Sequence, residues 1–184
     1  IINKDILSIF KKKIIDKNVI VFGNLPYNIS TKILSSLALT SDKLPWYKTL
    51  ILMFQKEVAD RIVAKEKTKA FGRLSIMSNW RLKVTKHFDI SKNCFSPKPK
   101  ISSTVLSFQI KKNYPSIKNP INLEFVTRNL FSNRRKMINK SFIKLFNGDK
   151  SVAKKLNIDL TKRAEELSFE SFYRITKMYE KLYC

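Results

Sequence analysis

The chain has 184 residues, 43% of them apolar, enough for one large domain with a packed core and too many for a disordered tail. Thirty-seven Lys and Arg against 14 Asp and Glu leave a formal net charge of +23, an excess that points to a polyanionic partner, nucleic acid first. The three glycines, Gly23, Gly72 and Gly148, stand far apart, so these residues contain no phosphate-binding loop of the GxGxxG or GxxxxGKS/T kind.

Two cysteines, Cys94 and Cys184, are too few for a structural zinc site or a disulfide framework. They suit a reducing, cytoplasmic setting. No run approaches the ~20 apolar residues of a bilayer span. The start, Ile1-Ile2-Asn3-Lys4-Asp5, lacks the basic and apolar regions of a secretion signal and an initiator Met, as expected of a chain whose natural start lies upstream. Lys outnumbers Arg 29 to 8. AT-rich coding would explain that preference, whereas it leaves the shortage of acids unexplained. Up to Asn119 there are 23 basic and seven acidic residues, and after it 14 and seven, so the partner is expected to touch both parts.

In chain order, Val19-Ile20-Val21-Phe22 is a short β-branched and aromatic run, the pattern of a strand buried on both faces, stopped by Gly23. A loop, Asn24-Leu25-Pro26-Tyr27-Asn28, follows. Ser30 then serves as the expected N-cap of a helix to about Leu39, with Ile33, Leu34, Leu37 and Ala38 at helical spacing. Leu50 to Phe54 is a second strand run. Gln55 to about Lys65 reads as a helix with Val58, Ile62 and Val63 inward, and Arg73 to about Trp80 as another. Leu82, Val84 and Phe88 suggest a third strand, and Val105 to Ile110 a fourth. Between these lies Cys94-Phe95-Ser96-Pro97-Lys98-Pro99-Lys100, a loop stiffened by two prolines beside an aromatic.

The alternation of strands and helices predicts an open parallel α/β sheet covered on both faces. From Asn122 onward only helical periodicities remain, at Phe125, Val126, Leu130 and Phe131, at Met137, Ile138, Phe142 and Leu145, from Val152 to Leu156, and from Phe169 to Leu182. A boundary near 112–120 therefore separates an α/β part, 1–115, from a small C-terminal all-helical domain, 116–184.

Asn24-Leu25-Pro26-Tyr27 lies at the carboxyl end of a buried strand, where open α/β sheets place their ligands. Its composition suits attack by the exocyclic amine of adenine on a methyl group. That amine is a poor nucleophile because its lone pair is delocalised into the ring. Acceptors set against its N–H bonds draw the nitrogen toward a tetrahedral form and stabilise the developing positive charge. The Asn24 side-chain oxygen and the carbonyl of Leu25 or Pro26 could be those acceptors, Pro26 fixes the loop, and Tyr27 offers a ring for the base to stack on. Four such residues alone could equally be a turn.

More of the chain carries the likeness. Val21 to Thr31, reading VFGNLPYNIST, resembles the adenine-binding motif of the small-subunit ribosomal RNA adenine N6,N6-dimethyltransferases. So do Met53 to Arg61 (MFQKEVADR), Phe71 to Ser75 (FGRLS), Phe95 to Ile101 (FSPKPKI) and Asn133-Arg134-Arg135-Lys136, in that order. The resemblance implies a Rossmann-like class I methyltransferase sheet with its N-terminal strands missing, followed by a helical domain that docks on ribosomal RNA. It implies that Asn24, Leu25, Pro26 and Tyr27 hold the target adenine, that Asn24 borders the methyl donor, S-adenosylmethionine, and that Phe95 sandwiches the flipped base against Tyr27. Asp5 matches the acid that accepts a hydrogen bond from the donor's adenine amine.

The family's glycine-rich loop and ribose-binding acid match nothing in this chain, so these 184 residues are expected to be a fragment that binds the donor poorly and is inactive alone. Lys56, Arg61, Arg73, Lys98, Lys100, Arg134, Arg135 and Lys136 are the expected RNA contacts, with Lys140 and Lys144 on the same helical face as Lys136. Arg135 could instead pair with Glu165 or Glu166. His87, in a strand, reads as structural or surface, Trp46 and Trp80 as core, and Cys94 as without a role.

The resemblance thus implies a cytoplasmic, monomeric enzyme that needs no metal and no membrane. Its partner is the immature small ribosomal subunit, where it dimethylates two adjacent adenines near the 3′ end of the RNA. The alternatives are a large-subunit RNA methyltransferase of the macrolide-resistance type and a non-catalytic RNA-binding assembly factor.

Overall fold

A computed structural model describes residues 19–39 and 46–184. Strand β1 (Val19–Asn24) leads into α1 (Ser30–Ala38), β2 (Tyr47–Gln55) and α2 (Lys56–Ile62). After a loop come α3 (Arg73–Arg81), β3 (Leu82–Ile90), a single 3-10 turn (Lys92–Cys94) and β4 (Ser103–Ile110). Four helices follow, α4 (Pro120–Leu130), α5 (Asn139–Leu145), α6 (Ser151–Lys155) and α7 (Phe169–Tyr183).

The sheet order is β1-β2-β4-β3. β1 runs parallel to β2, as alternation of strand and helix requires, while β4 is antiparallel to both β2 and β3. An all-parallel sheet is therefore not what forms. The reason lies in the connections: α1 carries the chain back between β1 and β2, whereas only a short loop joins β3 to β4, and a loop without a crossover helix returns the chain antiparallel. β3 leaves one position open beside β2, and β4 fills it.

The sheet is covered on one face by the described helices. Leu50, Leu52 and Phe54 of β2 and Leu106 and Phe108 of β4 are buried against Ile33, Leu34 and Leu37 of α1, Ala59 and Ile62 of α2 and Leu74 of α3. The register puts Phe22, Ile51 and Ser107 on the opposite face. There Ile20 and Phe22 are 55% and 74% exposed. The expectation of a β1 buried on both faces thus fails among the described residues, because β1 is their edge strand and alternates like a half-covered one. Phe88 of β3, 59% exposed, lies outside the core for the same reason. Ser30 is the first residue of α1 rather than its cap: Ile29 takes the cap position, and Ser30 Oγ donates to the Tyr27 carbonyl.

A second core fills the helical part. Leu123 and Val126 of α4, Phe142 and Leu145 of α5, Val152 of α6 and Phe172 and Ile175 of α7 surround Phe71, Ile76 and Trp80. Helix α3 is common to the two cores, with Leu74 turned to the sheet and Ile76 and Trp80 turned to the helices. Trp80 Nε1 donates to the Pro115 carbonyl at 2.8 Å, and Tyr173 Oη to the Ile76 carbonyl at 3.2 Å.

The segment entering α4 is fastened by Glu180, which is 3% exposed. Its carboxylate accepts from the backbone N–H of Lys118 and of Asn119, each at 2.8 Å, and from Asn122 Nδ2 at 3.0 Å. Removing it takes the acceptor from three part-buried donors at once. Glu180→Ala is expected to lower unfolding free energy by about 2–4 kcal/mol in denaturant titration, with Glu180→Gln, which keeps one acceptor, in between.

Candidate functional site

Asn24 to Tyr27 form the loop at the carboxyl end of β1. Its shape is local: Ile29 N donates to the Pro26 carbonyl at 3.1 Å, closing a turn, and Ser30 Oγ donates to the Tyr27 carbonyl at 3.2 Å. Gly23 is needed just before it, because a Cβ there would stand 2.8 Å from Leu52 Cδ2 and 2.9 Å from Leu25 Cδ2, closer than carbon atoms pack. Asn24 is exposed, and its side chain has no hydrogen-bond partner among the described residues, so its oxygen is available to a ligand.

The loop between β3 and β4 comes to the same place. Asn24, Leu25, Pro26 and Tyr27 line a cavity of about 360 Å³ together with Phe95, Ser96, Pro97 and Pro99. Tyr27 and Phe95 are both half-buried, and both line this cavity. The structure thus brings together all five residues expected to hold a base. Tyr27 Oη shares a hydrogen bond of 2.8 Å with Ser103 Oγ, a partner the sequence motif does not suggest. Asp5 lies outside the described residues. A larger hollow of about 680 Å³, among Lys150, Lys154, Lys162, Asp159 and Glu166 in the helical part, holds none of the residues expected to bind the base, the donor or the RNA.

The charged rim is partly neutralised from within. Lys56 Nζ donates to Asp89, which also accepts from Thr104 Oγ1 at 2.7 Å and pairs with Lys86 at 3.1 Å. The Lys56 bond first, then those from Thr104 and Lys86, hold the Asp89 carboxyl well below the usual carboxylate range. The same bond raises Lys56. Arg73 pairs with Glu124 at 3.4 Å. Arg61, Lys98, Lys100, Arg135 and Lys136 are exposed and have no ion pair among the described residues.

Within Asn133-Arg134-Arg135-Lys136 the two arginines differ. Arg134 pairs with Glu165 at 3.1 Å and donates to the carbonyls of Lys69 and Phe71, the latter at 2.9 Å. It is Arg134, not Arg135, that braces the helical part against the loop before α3. These residues also sit in the turn between α4 and α5 rather than on a helix, so only Lys140 and Lys144 share a helical face. His87 lies on β3, exposed, with Nε2 2.8 Å from Ser107 Oγ.

A family model described as ribosomal RNA adenine dimethylase matches residues 1–181. The chain belongs to the ribosomal RNA adenine dimethylase family. It is 48% identical over 182 residues to the ribosomal RNA small subunit methyltransferase A of Pelagibacter ubique, spanning 99% of this chain and 70% of that protein. To the protein of the same name from Xanthobacter autotrophicus it is 36% identical over 183 residues, 99% of this chain and 63% of that one.

Among solved structures it is similar to a dimethyladenosine transferase from Plasmodium falciparum, with TM-score 0.72 and 24% identity over 92% of this chain and 70% of the other. It is also similar to the 23S rRNA methyltransferase ErmE, with TM-score 0.62 and 15% identity over 97% and 71%. A Rossmann-like methyltransferase fold accounts for the mixed sheet and its helices. No helix among the described residues is long and apolar enough to cross a membrane.

The two arginines should separate in a thermal melt. Arg134→Ala is expected to cost about 1–2 kcal/mol, since it frees Glu165 and two carbonyls together, while Arg135→Ala stays within about 0.5 kcal/mol of the parent.

Proposed function

We propose that the protein transfers methyl groups from S-adenosylmethionine to N6 of two adjacent adenines near the 3′ end of small-subunit ribosomal RNA, during assembly of that subunit in the cytoplasm. One observation carries the reading: a single cavity unites Asn24, Leu25, Pro26 and Tyr27 with Phe95, and the Asn24 side chain has no hydrogen-bond partner among the described residues. A base extruded from its stack fits such a site, since a stacked N6 cannot be reached.

The donor, when bound, supplies an electrophilic methyl group, and Asn24 together with Asp5 forms the part of its site that this chain would contribute. The acceptors for the target amine come from the loop. The Pro26 carbonyl already closes the turn to Ile29, whereas the Leu25 carbonyl has no such partner among the described residues. Leu25 is therefore the better second acceptor beside Asn24 Oδ1. Together they hold both N–H bonds, localise the nitrogen lone pair, and receive the amine's growing positive charge. Tyr27 and Phe95 clasp the ring from its two faces. After the first transfer the amine gives up one proton to solvent and one N–H remains, so the first methyl group takes the place of the lost N–H, one of the two acceptors loses its partner, and the second methyl group arrives from the donor side.

The RNA backbone is held by the exposed, unpaired cations Arg61, Lys98, Lys100, Arg135 and Lys136. Lys56, Arg73 and Arg134 contribute less, since Asp89, Glu124 and Glu165 already engage them. The helical residues 116–184 act as a docking domain, and the protein works as a monomer. A large-subunit RNA substrate and a non-catalytic assembly role are the competing readings.

Tritium transfer from labelled S-adenosylmethionine into immature small subunits, measured with the full-length protein, tests the proposal; label entering only large-subunit RNA, or neither, rejects it. Asn24→Ala should lower kcat about 10²- to 10³-fold while RNA affinity changes less than about twofold. Arg135→Ala with Lys136→Ala should do the reverse, weakening binding across RNA sequences and lowering its salt slope by about 2.

A further inference from the structure

Ser103 belongs to neither wall of the cavity, yet it is joined to both. It is the first residue of β4, paired with Gln55 of β2 on one side and Ile90 of β3 on the other, and it is wholly buried. Its position is thus fixed by the sheet. Its hydroxyl meets Tyr27 Oη at 2.8 Å, although Tyr27 rides on the loop of β1, two strands away in the sheet order. In the other direction, Ser103 ends the loop that carries Phe95, Ser96, Pro97 and Pro99. Lys56 N also donates to the carbonyl of its neighbour Ser102 at 2.9 Å, tying the end of that loop to the start of α2.

We infer that Ser103 is a positioning residue for the target base, holding the Tyr27 hydroxyl so that the gap between the Tyr27 and Phe95 rings is set by β4 before any base arrives. This rests on reading the cavity as an adenine slot. A tyrosine held only by its backbone keeps two side-chain torsions, and a planar ligand entering beside it must arrest both. With its hydroxyl anchored to a strand, the ring has one tilt and one depth. The loop backbone supports this anchor through the Ile29 to Pro26 and Ser30 to Tyr27 bonds, which fix the Cα from which the side chain reaches Ser103. The methyl-accepting nitrogen lies in the plane of the clasped ring, so an error in ring tilt moves it directly off the Asn24 and Leu25 acceptors.

Ser103 and Tyr27 then act as one unit, and a double-mutant cycle reads that directly. In the full-length protein, Ser103→Ala and Tyr27→Phe should each lower kcat roughly 3- to 10-fold with RNA affinity within about twofold. The double variant should be no slower than the worse single one. Losses that multiply, or a Ser103→Ala enzyme as fast as the parent, overturn the inference.

Amide hydrogen exchange keeps the test independent of the proposed reaction. In both single variants, exchange at Ile29, whose N–H closes the loop onto the Pro26 carbonyl, should quicken to the same extent, with α4 to α7 unchanged. Should the parent transfer no methyl group to either ribosomal RNA, the functional reading fails by itself. Unchanged loop exchange in Ser103→Ala would then still reject the anchor.

Discussion

The direction of β4 decides where the site can be. Because β4 runs antiparallel to β2, its first residue lies at the same end of the sheet as the last residues of β1 and β2, with Ser103 opposite Gln55. The loop preceding β4 therefore arrives beside the loop following β1, and Phe95 comes to face the cavity that Tyr27 lines. A parallel β4 of the same eight residues would begin at the far end of the sheet, about 25 Å away at strand rise. The loop would then have to run the length of the sheet, whereas with Ile90 opposite Ser103 it both leaves and re-enters the sheet beside the cavity. The antiparallel return from β3 to β4 thus keeps Phe95 and the two prolines of that loop at the site.

Helix α3 plays the corresponding part between the two cores. Its nine residues have one row, at Leu74, packed under the sheet, and another, at Ile76 and Trp80, packed under the C-terminal helices. Two faces of one short helix fix the relative placement of the parts to within side-chain packing tolerance, since interiors are close-packed and deform little. Arg134 on the loop carbonyls and Glu180 on the entry to α4 add directional bonds to the same junction. Cations of the helical part are then held at a set position relative to the cavity, which a phosphate backbone threading toward one base requires.

Much of this was legible in the residues, and the failures share a cause. Helix periodicity located α1, α3 and α7 to within about a residue or two, because an amphipathic stripe depends on local spacing. The run Val19 to Phe22 is an edge strand among the described residues and alternates there, an outcome the run leaves open because continuous apolar character does not state which neighbours a strand has. Antiparallel entry of β4 was hidden for the same reason: pairing direction is a property of connections and partners, and no single strand's composition encodes it. The aromatics of the cavity were recoverable through the motif around Asn24 and the proline loop at Phe95. Ser103 was not, being one of two adjacent serines whose only distinction is the tyrosine 76 positions away in sequence. The pairing offered as an alternative for Arg135 belongs to Arg134, a one-residue difference that only the turn after α4 resolves.

The charge imbalance takes on a sharper meaning from what the acids do. Asp60 and Asp89 pair with lysines beside β3, Glu124 with Arg73 and Arg128, and Glu165 with Arg134. Glu66, Glu166 and Glu180 accept backbone N–H groups at the start of α7, at Arg163 and at the entry to α4, and Asp149 and Asp159 do so in their own turns. Glu57 and Glu170 occupy the first turns of α2 and α7, where a helix favours negative charge. Every acid among the described residues thus has a structural task, and none is left to neutralise the exposed lysines for solubility alone. Mutational drift toward AT-rich codons explains lysine in place of arginine, but it would not strip away dispensable acids while retaining those that cap, pair or brace. A surface with acids pared to what the fold requires, and cations far beyond it, is arranged for a dense polyanion.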